Sequence, residues 1–158
     1  MKKGIIFDLD GTLWDATKNL VKPWNTALSR HEDVKVRLTH KDLMGFMGKT
    51  VEEISEIIIP YIEYDRRIAI MKEGAYEGND YLLTHGGILY PDLVETLTKL
   101  KKDYHISIVS NCLTGYIEAF TSFHHLDDLF DDTLCQGDTG KTKGENIKIM
   151  IERNNLDK

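Results

Sequence analysis

Gly4-Ile5-Ile6-Phe7-Asp8-Leu9-Asp10-Gly11-Thr12 runs a short apolar strand straight into two carboxylates one residue apart and then into a glycine turn. Side chains two apart on extended backbone point the same way, so Asp8 and Asp10 can converge on one ligand while Gly11 reverses the chain. Two converging carboxylates suit a hard cation such as Mg2+. An Asp-Gly pair alone would signify only a turn; the apolar lead-in and the second acid turn the reading toward phosphoryl transfer.

Two further apolar runs, Ile106 to Ser110 and Thr133 to Gln136, are short and end in polar or glycine residues, as buried parallel strands do. Helical patterns separate the strands. Pro91 opens a stretch with Leu93, Val94, Leu97 and Leu100 on one face, closing on Lys99, Lys101 and Lys102, which suit a helix C-terminus. A second helix carries Tyr116, Ile117 and Phe120. Alternating helices and strands predict an α/β fold.

Between Asp15 and about Gly87 the character changes, because no convincing strand is legible and apolar residues recur at helical spacing. Leu20, Val21, Trp24 and Leu28 form one stripe, and Thr50 with Glu53 is a capping box opening Val51, Ile54, Ile57 and Ile58 before Pro60. Ile68 and Met71 mark another helix, and Gly86-Gly87 suits a reorienting connection. The expected organisation is therefore an α/β core from residues 1–14 and 88–158 with a helical insertion from 15–87.

With 158 residues, 41% hydrophobic and 29% charged, the chain can bury one sizeable core. A net charge of -6 with no long Lys/Arg stripe argues against a general nucleic-acid binder. Cys112 and Cys135 lack metal-ligand spacing and read as free thiols of a reducing cytoplasm. Met1-Lys2-Lys3 is basic, but the apolar run after it is too short for a signal segment or a membrane span.

These motifs resemble the haloacid dehalogenase superfamily of phosphohydrolases. Asp8-Leu9-Asp10-Gly11-Thr12 matches that family's D-x-D-G-T motif, Ile106 to Asn111 its strand ending in Ser or Thr, and Lys143 its Lys opening a late helix, with Lys141 the competing choice. The resemblance implies a Rossmann-like parallel-sheet core with an inserted α-helical cap. It also implies roles for the matched residues. Asp8 would be the nucleophile, forming an aspartyl-phosphate, and Asp10 the general acid and base. Mg2+ would sit on the Asp8 carboxylate and the Asp10 backbone carbonyl. The Ser110 hydroxyl, the Asn111 backbone N–H and the Lys143 ammonium would bind phosphate. Taken singly, Ser110 reads as a strand end and Lys143 as surface; it is their register with the two acids that favours the functional reading.

Within the family, Asp10 argues against the metal-free dehalogenases, which carry an aromatic there, and Thr12 leans toward phosphatases over sugar-phosphate mutases. The resemblance reaches small-molecule phosphatases of the phosphoglycolate type. Lys49, in the loop Gly45 to Thr50, could meet a substrate anion, although an exposed lysine is the plainer reading. His124-His125 and the acidic run Asp127, Asp128, Asp131 and Asp132 read as ordinary surface, the latter as a solvated loop. The family's fourth motif, Gly-Asp with a second Asp after the Lys143 helix, is not matched. From this the expectation is a core lacking its C-terminal part, weak or inactive as it stands, whose first strand offers a bare edge for dimerisation. A phosphate-ester-binding domain without turnover is the alternative.

Overall fold

The computed structural model describes residues 3–157; Met1 and Lys2 of the basic start and Lys158 of the last turn lie outside the described residues. Strand β1 (Gly4–Phe7) and the two-residue β2 (Trp14–Asp15) lead into four helices, α1 (Thr17–Leu28), α2 (His40–Phe46), α3 (Val51–Ile58) and α4 (Tyr64–His85). Then follow β3 (Ile88–Leu89), α5 (Leu93–Leu100), β4 (His105–Ser110), α6 (Tyr116–His124), β5 (Asp132–Cys135), α7 (Gln136–Thr139) and α8 (Lys143–Arg153).

The sheet has the order β1-β4-β5, all parallel. Every residue of β4 is buried, His105, Ser107 and Ser110 with the three apolar ones, as in a strand covered on both faces. Ile106 and Ile108 join Leu97, Ile117 and Phe120 in one cluster, whereas Val109 joins Leu134 and Met150 in another, with Ile6 and Ile147 packed against it. Phe7 lies opposite Ile108, and Ser110 opposite Cys135. In-step register brings the chain segments after β1 and β4 out at one rim. The third strand sits one residue earlier than the apolar run suggests. Gln136 opens α7 instead, because the Asp138 carboxylate accepts from the Cys135 N–H at 3.0 Å and caps that turn.

Helices α1 to α4 enclose their own apolar cluster, including Trp24, Leu28, Leu43, Val51, Ile54 and Met71. Helix α3 begins at the expected capping box, with the Glu53 N–H donating to Thr50 Oγ1 at 3.2 Å and the Thr50 N–H to the Glu53 carboxylate at 2.8 Å. Close approach of α4 to α1 depends on Gly78, where a Cβ would lie 2.8 Å from Leu20 Cδ2. The helical stretch leaves and rejoins the α/β part through an antiparallel ribbon, Trp14 opposite Leu89 and Asp15 opposite Ile88. That ribbon is too short to show any periodicity in sequence. Gly87 precedes it with no room for a side chain, since a Cβ would sit 2.7 Å from the Trp14 ring and 3.0 Å from the Asp15 carbonyl oxygen.

The acidic run is not simply solvated. Asp131 accepts from the Ile106 N–H at 2.8 Å and pairs with Lys101 at 3.0 Å, and Asp132 accepts from Arg153 Nε at 2.6 Å. These carboxylates tie the starts of β4 and β5 to α8 and the α5 C-terminus. Among the described residues no helix is long and apolar enough to cross a membrane.

Candidate active site

Phe7 ends β1, and the chain then folds tightly on itself. The Leu13 N–H donates to the Leu9 carbonyl at 2.8 Å and the Gly11 N–H to the Trp14 carbonyl at 3.0 Å, with Gly11 at φ 75°. Leu9 points into the core and is fully buried. Asp8, before it, is half-buried, and Asp10, after it, turns its carboxyl onto Trp14 and Tyr116 at the edge of that core.

Asp8 Oδ1 accepts from the Leu9 N–H at 2.8 Å and pairs with Lys143 Nζ at 2.6 Å. Lys143 is the first residue of α8, set there by a capping box in which Thr142 and Glu145 exchange bonds of 3.3 and 2.9 Å. Lys141, the competing lysine of the sequence reading, is exposed and is engaged through its backbone, its N–H donating to Thr139 Oγ1 at 3.1 Å and its carbonyl accepting from Asn146 Nδ2 at 3.4 Å. The Asp8 and Lys143 side chains are 34% and 29% exposed, so the pair adds little stability. Its consequence is local: a fixed cation stands beside a carboxylate at the sheet rim.

Asp10 has a different environment. Its Oδ1 accepts from the Tyr116 hydroxyl at 2.7 Å and from the Trp14 indole N–H at 3.1 Å. Burial pushes its pKa from 3.8 up to about 6, the Asp8 charge adds to the rise, and the bonds from Tyr116 and Trp14 and the Lys143 charge oppose it. Two carboxylates thus lie within electrostatic reach of each other and of one lysine, and Asp10 is poised to hold a proton up to about pH 6.

Ser110 closes β4 and is buried, and Asn111 follows it. Both line a cleft of ≈ 100 Å³ together with Asp10. Asn111 Nδ2 donates to the Gly48 carbonyl at 2.9 Å, in the loop between α2 and α3, while its Oδ1 is buried without a partner. All five residues singled out in the sequence therefore gather at one rim. Sequence reasoning missed Trp14 and Tyr116, the two donors to Asp10, and Asn79, whose Nδ2 donates to the Thr114 carbonyl at 3.1 Å at the cleft wall. The two aromatics carry no polar signal in the sequence, and Asn79 is one polar residue among several in a long helix. Only the position of Trp14, four after Asp10, was a usable signal.

Neither histidine of the pair at 124 and 125 joins the site; His124 packs edge-on to Trp14 and Phe123. Cys112 and Cys135 are free thiols, and burial pushes the Cys112 thiol up, which keeps it protonated and a poor nucleophile. Among the described residues no set of three or more His, Cys, Asp or Glu side chains could hold a metal. The donors that Asp8 and Asp10 offer are oxygens, and Asp10 is destabilised by the neighbouring Asp8 charge. That pairing fits Mg2+, which binds through one or two carboxylates and leaves its other positions to water and phosphate.

The family model of the haloacid dehalogenase-like hydrolases matches residues 5–158. Phosphoglycolate phosphatase of Aliivibrio fischeri is 28% identical over 165 residues, covering 98% of this chain and 71% of the relative. Pyrophosphatase PpaX of Listeria innocua is 25% identical, covering 98% and 70%. Among solved structures, a haloacid dehalogenase-like hydrolase from Bacteroides fragilis superposes with a TM-score of 0.82 at 28% identity, covering 99% of this chain and 75% of that one. A β-phosphoglucomutase from Clostridium difficile shares the fold, with a TM-score of 0.72 at 20% identity over 99% of this chain and 72% of its own.

Proposed function

Because the chain belongs to the haloacid dehalogenase-like hydrolases, we propose that it hydrolyses the phosphate monoester of a small metabolite through Asp8, with Asp10 moving the protons. The observation that carries this reading is the contrast between the carboxylates: Asp8 is paired with Lys143 at 2.6 Å, and Asp10 beside it has a pKa of about 6.

The Asp8 carboxylate attacks phosphorus as the ester P–O bond breaks, and the departing oxygen takes the proton of Asp10. The product is an alcohol and an aspartyl-phosphate. Asp10, now ionised, accepts a proton from water as that water attacks phosphorus, and the bond to Asp8 breaks to release phosphate. Lys143, the Ser110 hydroxyl and the Asn111 backbone N–H hold the phosphoryl oxygens, where charge is spread in the transition state. Asp8 and Asp10 would hold Mg2+, which screens the repulsion between carboxylate and phosphate. The helices of residues 15–87 cover the rim as a cap and shape what enters. Free Cys112 and Cys135 accord with a cytoplasmic setting. Strand β1, paired on one side only among the described residues, is a template for a second copy.

Turnover of p-nitrophenyl phosphate with and without Mg2+ tests the reading, with Asp8→Asn as the decisive variant. We expect metal-dependent release of phosphate that the substitution lowers by at least about a thousandfold, and a beryllium fluoride adduct that forms on the parent and not on the variant. Undiminished turnover by Asp8→Asn would remove Asp8 from the mechanism.

A further inference from the structure

The cleft borders Asp10, Ser110 and Asn111 but is lined by neither Asp8 nor Lys143. Asp10 therefore stands between the Asp8–Lys143 pair and the cleft, where a proton donor meets a departing oxygen. With the phosphoryl group set against Ser110 and Asn111, what remains of the cleft beyond them takes the alcohol half of the ester. Its walls are Leu20, Trp24, Leu43, Phe46, Val51 and Ile54. Apart from Asp10, the one charged side chain in the lining among the described residues is Lys49, which is exposed.

Polar groups in the lining are mostly spoken for. The Tyr116 hydroxyl donates to Asp10, the Thr17 hydroxyl donates to Asp15 at 2.6 Å, and Asn79 Nδ2 donates to the Thr114 carbonyl. Asn111 Oδ1 is buried and unpaired, and its orientation is fixed because Nδ2 on the same amide holds the Gly48 carbonyl. It can accept one hydrogen bond. A sugar would bring several hydroxyls to apolar walls and leave most unsatisfied. A second phosphate would bring charges that a single exposed lysine cannot neutralise.

We infer that the cleft selects a short, largely apolar alcohol carrying one hydrogen-bond donor, which Asn111 Oδ1 accepts, in preference to sugar phosphates, carboxylated esters or polyphosphates. The inference rests on the phosphatase reading and names the substrate class for that site. At ≈ 100 Å³ the cleft is small, which favours a short alcohol. Each methylene buried there strengthens binding by up to about fourfold.

Phosphonates, which cannot be hydrolysed, separate this inference from the chemistry. Calorimetric titration of the chain in Mg2+ should show butylphosphonate binding at least about tenfold more tightly than methylphosphonate, and more tightly than phosphonoacetate or methylenediphosphonate. Ala75→Leu, which fills the cleft from α4, should erase the gain for butylphosphonate and spare methylphosphonate. A hydroxyl at the chain end, as in 3-hydroxypropylphosphonate, should cost less than about threefold in the parent and more than about tenfold in Asn111→Ala. Equal binding of the methyl and butyl compounds, or tightest binding of phosphonoacetate or methylenediphosphonate, overturns the inference. An equal hydroxyl cost in parent and variant removes Asn111 from it. Should the series bind as expected while the matching esters are not turned over, the hydrolase reading falls and the ligand class stands. Turnover indifferent to the alcohol does the reverse.

Discussion

Asp10 is held as an acid by its surroundings, and those surroundings can be changed one atom at a time. Its pKa of about 6 places the protonated form below that pH, so kcat/KM should fall as pH rises above about 6. The Tyr116 hydroxyl donates to the carboxylate at 2.7 Å and favours the charged form. Tyr116→Phe removes that bond, raises the Asp10 pKa further and should move the falling limb to higher pH, which a pH profile measures directly. A downward move would contradict the assignment. The same residue links to stability. Because the folded pKa lies above the ordinary 3.8, the folded chain binds the proton more tightly than the unfolded one, and stability is lost as pH rises from about 4 through about 6. Asp10→Asn keeps an oxygen for Tyr116 and Trp14 without the buried charge. Its Tm advantage over the parent should grow across that window, each kcal/mol relieved being about 2–4 °C. A constant difference would mean that Asp10 is not the titrating group. The positions of the acids, Ser110 and Lys143 were legible through the family motifs that they match, taken together and in order. Trp14 and Tyr116 were not, since their polar edges matter only after the aromatic bodies have been packed, and packing is invisible in a single stretch of chain.

Elements announce themselves when local chemistry sets them. The box at Thr50–Glu53 fixes where α3 begins, and β4 is legible as a short, largely apolar run. Ribbon β2–β3 and the four-residue α7 escaped, being shorter than any period that could reveal them. The acidic run misled in a different way, because its partners Lys101 and Arg153 are remote in sequence. At this scale Thr142→Ala is the informative change. Loss of the cap should cost about 1 kcal/mol in urea unfolding. Loosening of the first turn of α8 should also lower kcat/KM through Lys143 and, because the Lys143 charge holds the Asp10 pKa down, move the Asp10 limb of the pH profile slightly upward. A stability loss with unaltered kinetics would show that the box holds the helix but not the lysine.

For the whole molecule, the asymmetry of the sheet has a physical cost. Strand β4 is enclosed, whereas β1 has Gly4 exposed and Ile5, Ile6 and Phe7 only half-buried. Such an edge presents unpaired N–H and C=O groups to any second chain. Sedimentation should therefore show a concentration-dependent dimer. Ile5→Lys, which places a charge on a residue outside the apolar clusters, should weaken it by at least about tenfold. A parent that stays monomeric at every concentration would dismiss self-pairing.

The ribbon of Trp14–Asp15 against Ile88–Leu89 has a consequence of another kind. Since the chain departs and returns through directly opposed residues, everything above the ribbon is spliced in at a single doorway. A stretch so attached can be lengthened, trimmed or exchanged for another without re-threading the strands beneath. Length and content can then vary beyond that doorway while the paired strands keep their register.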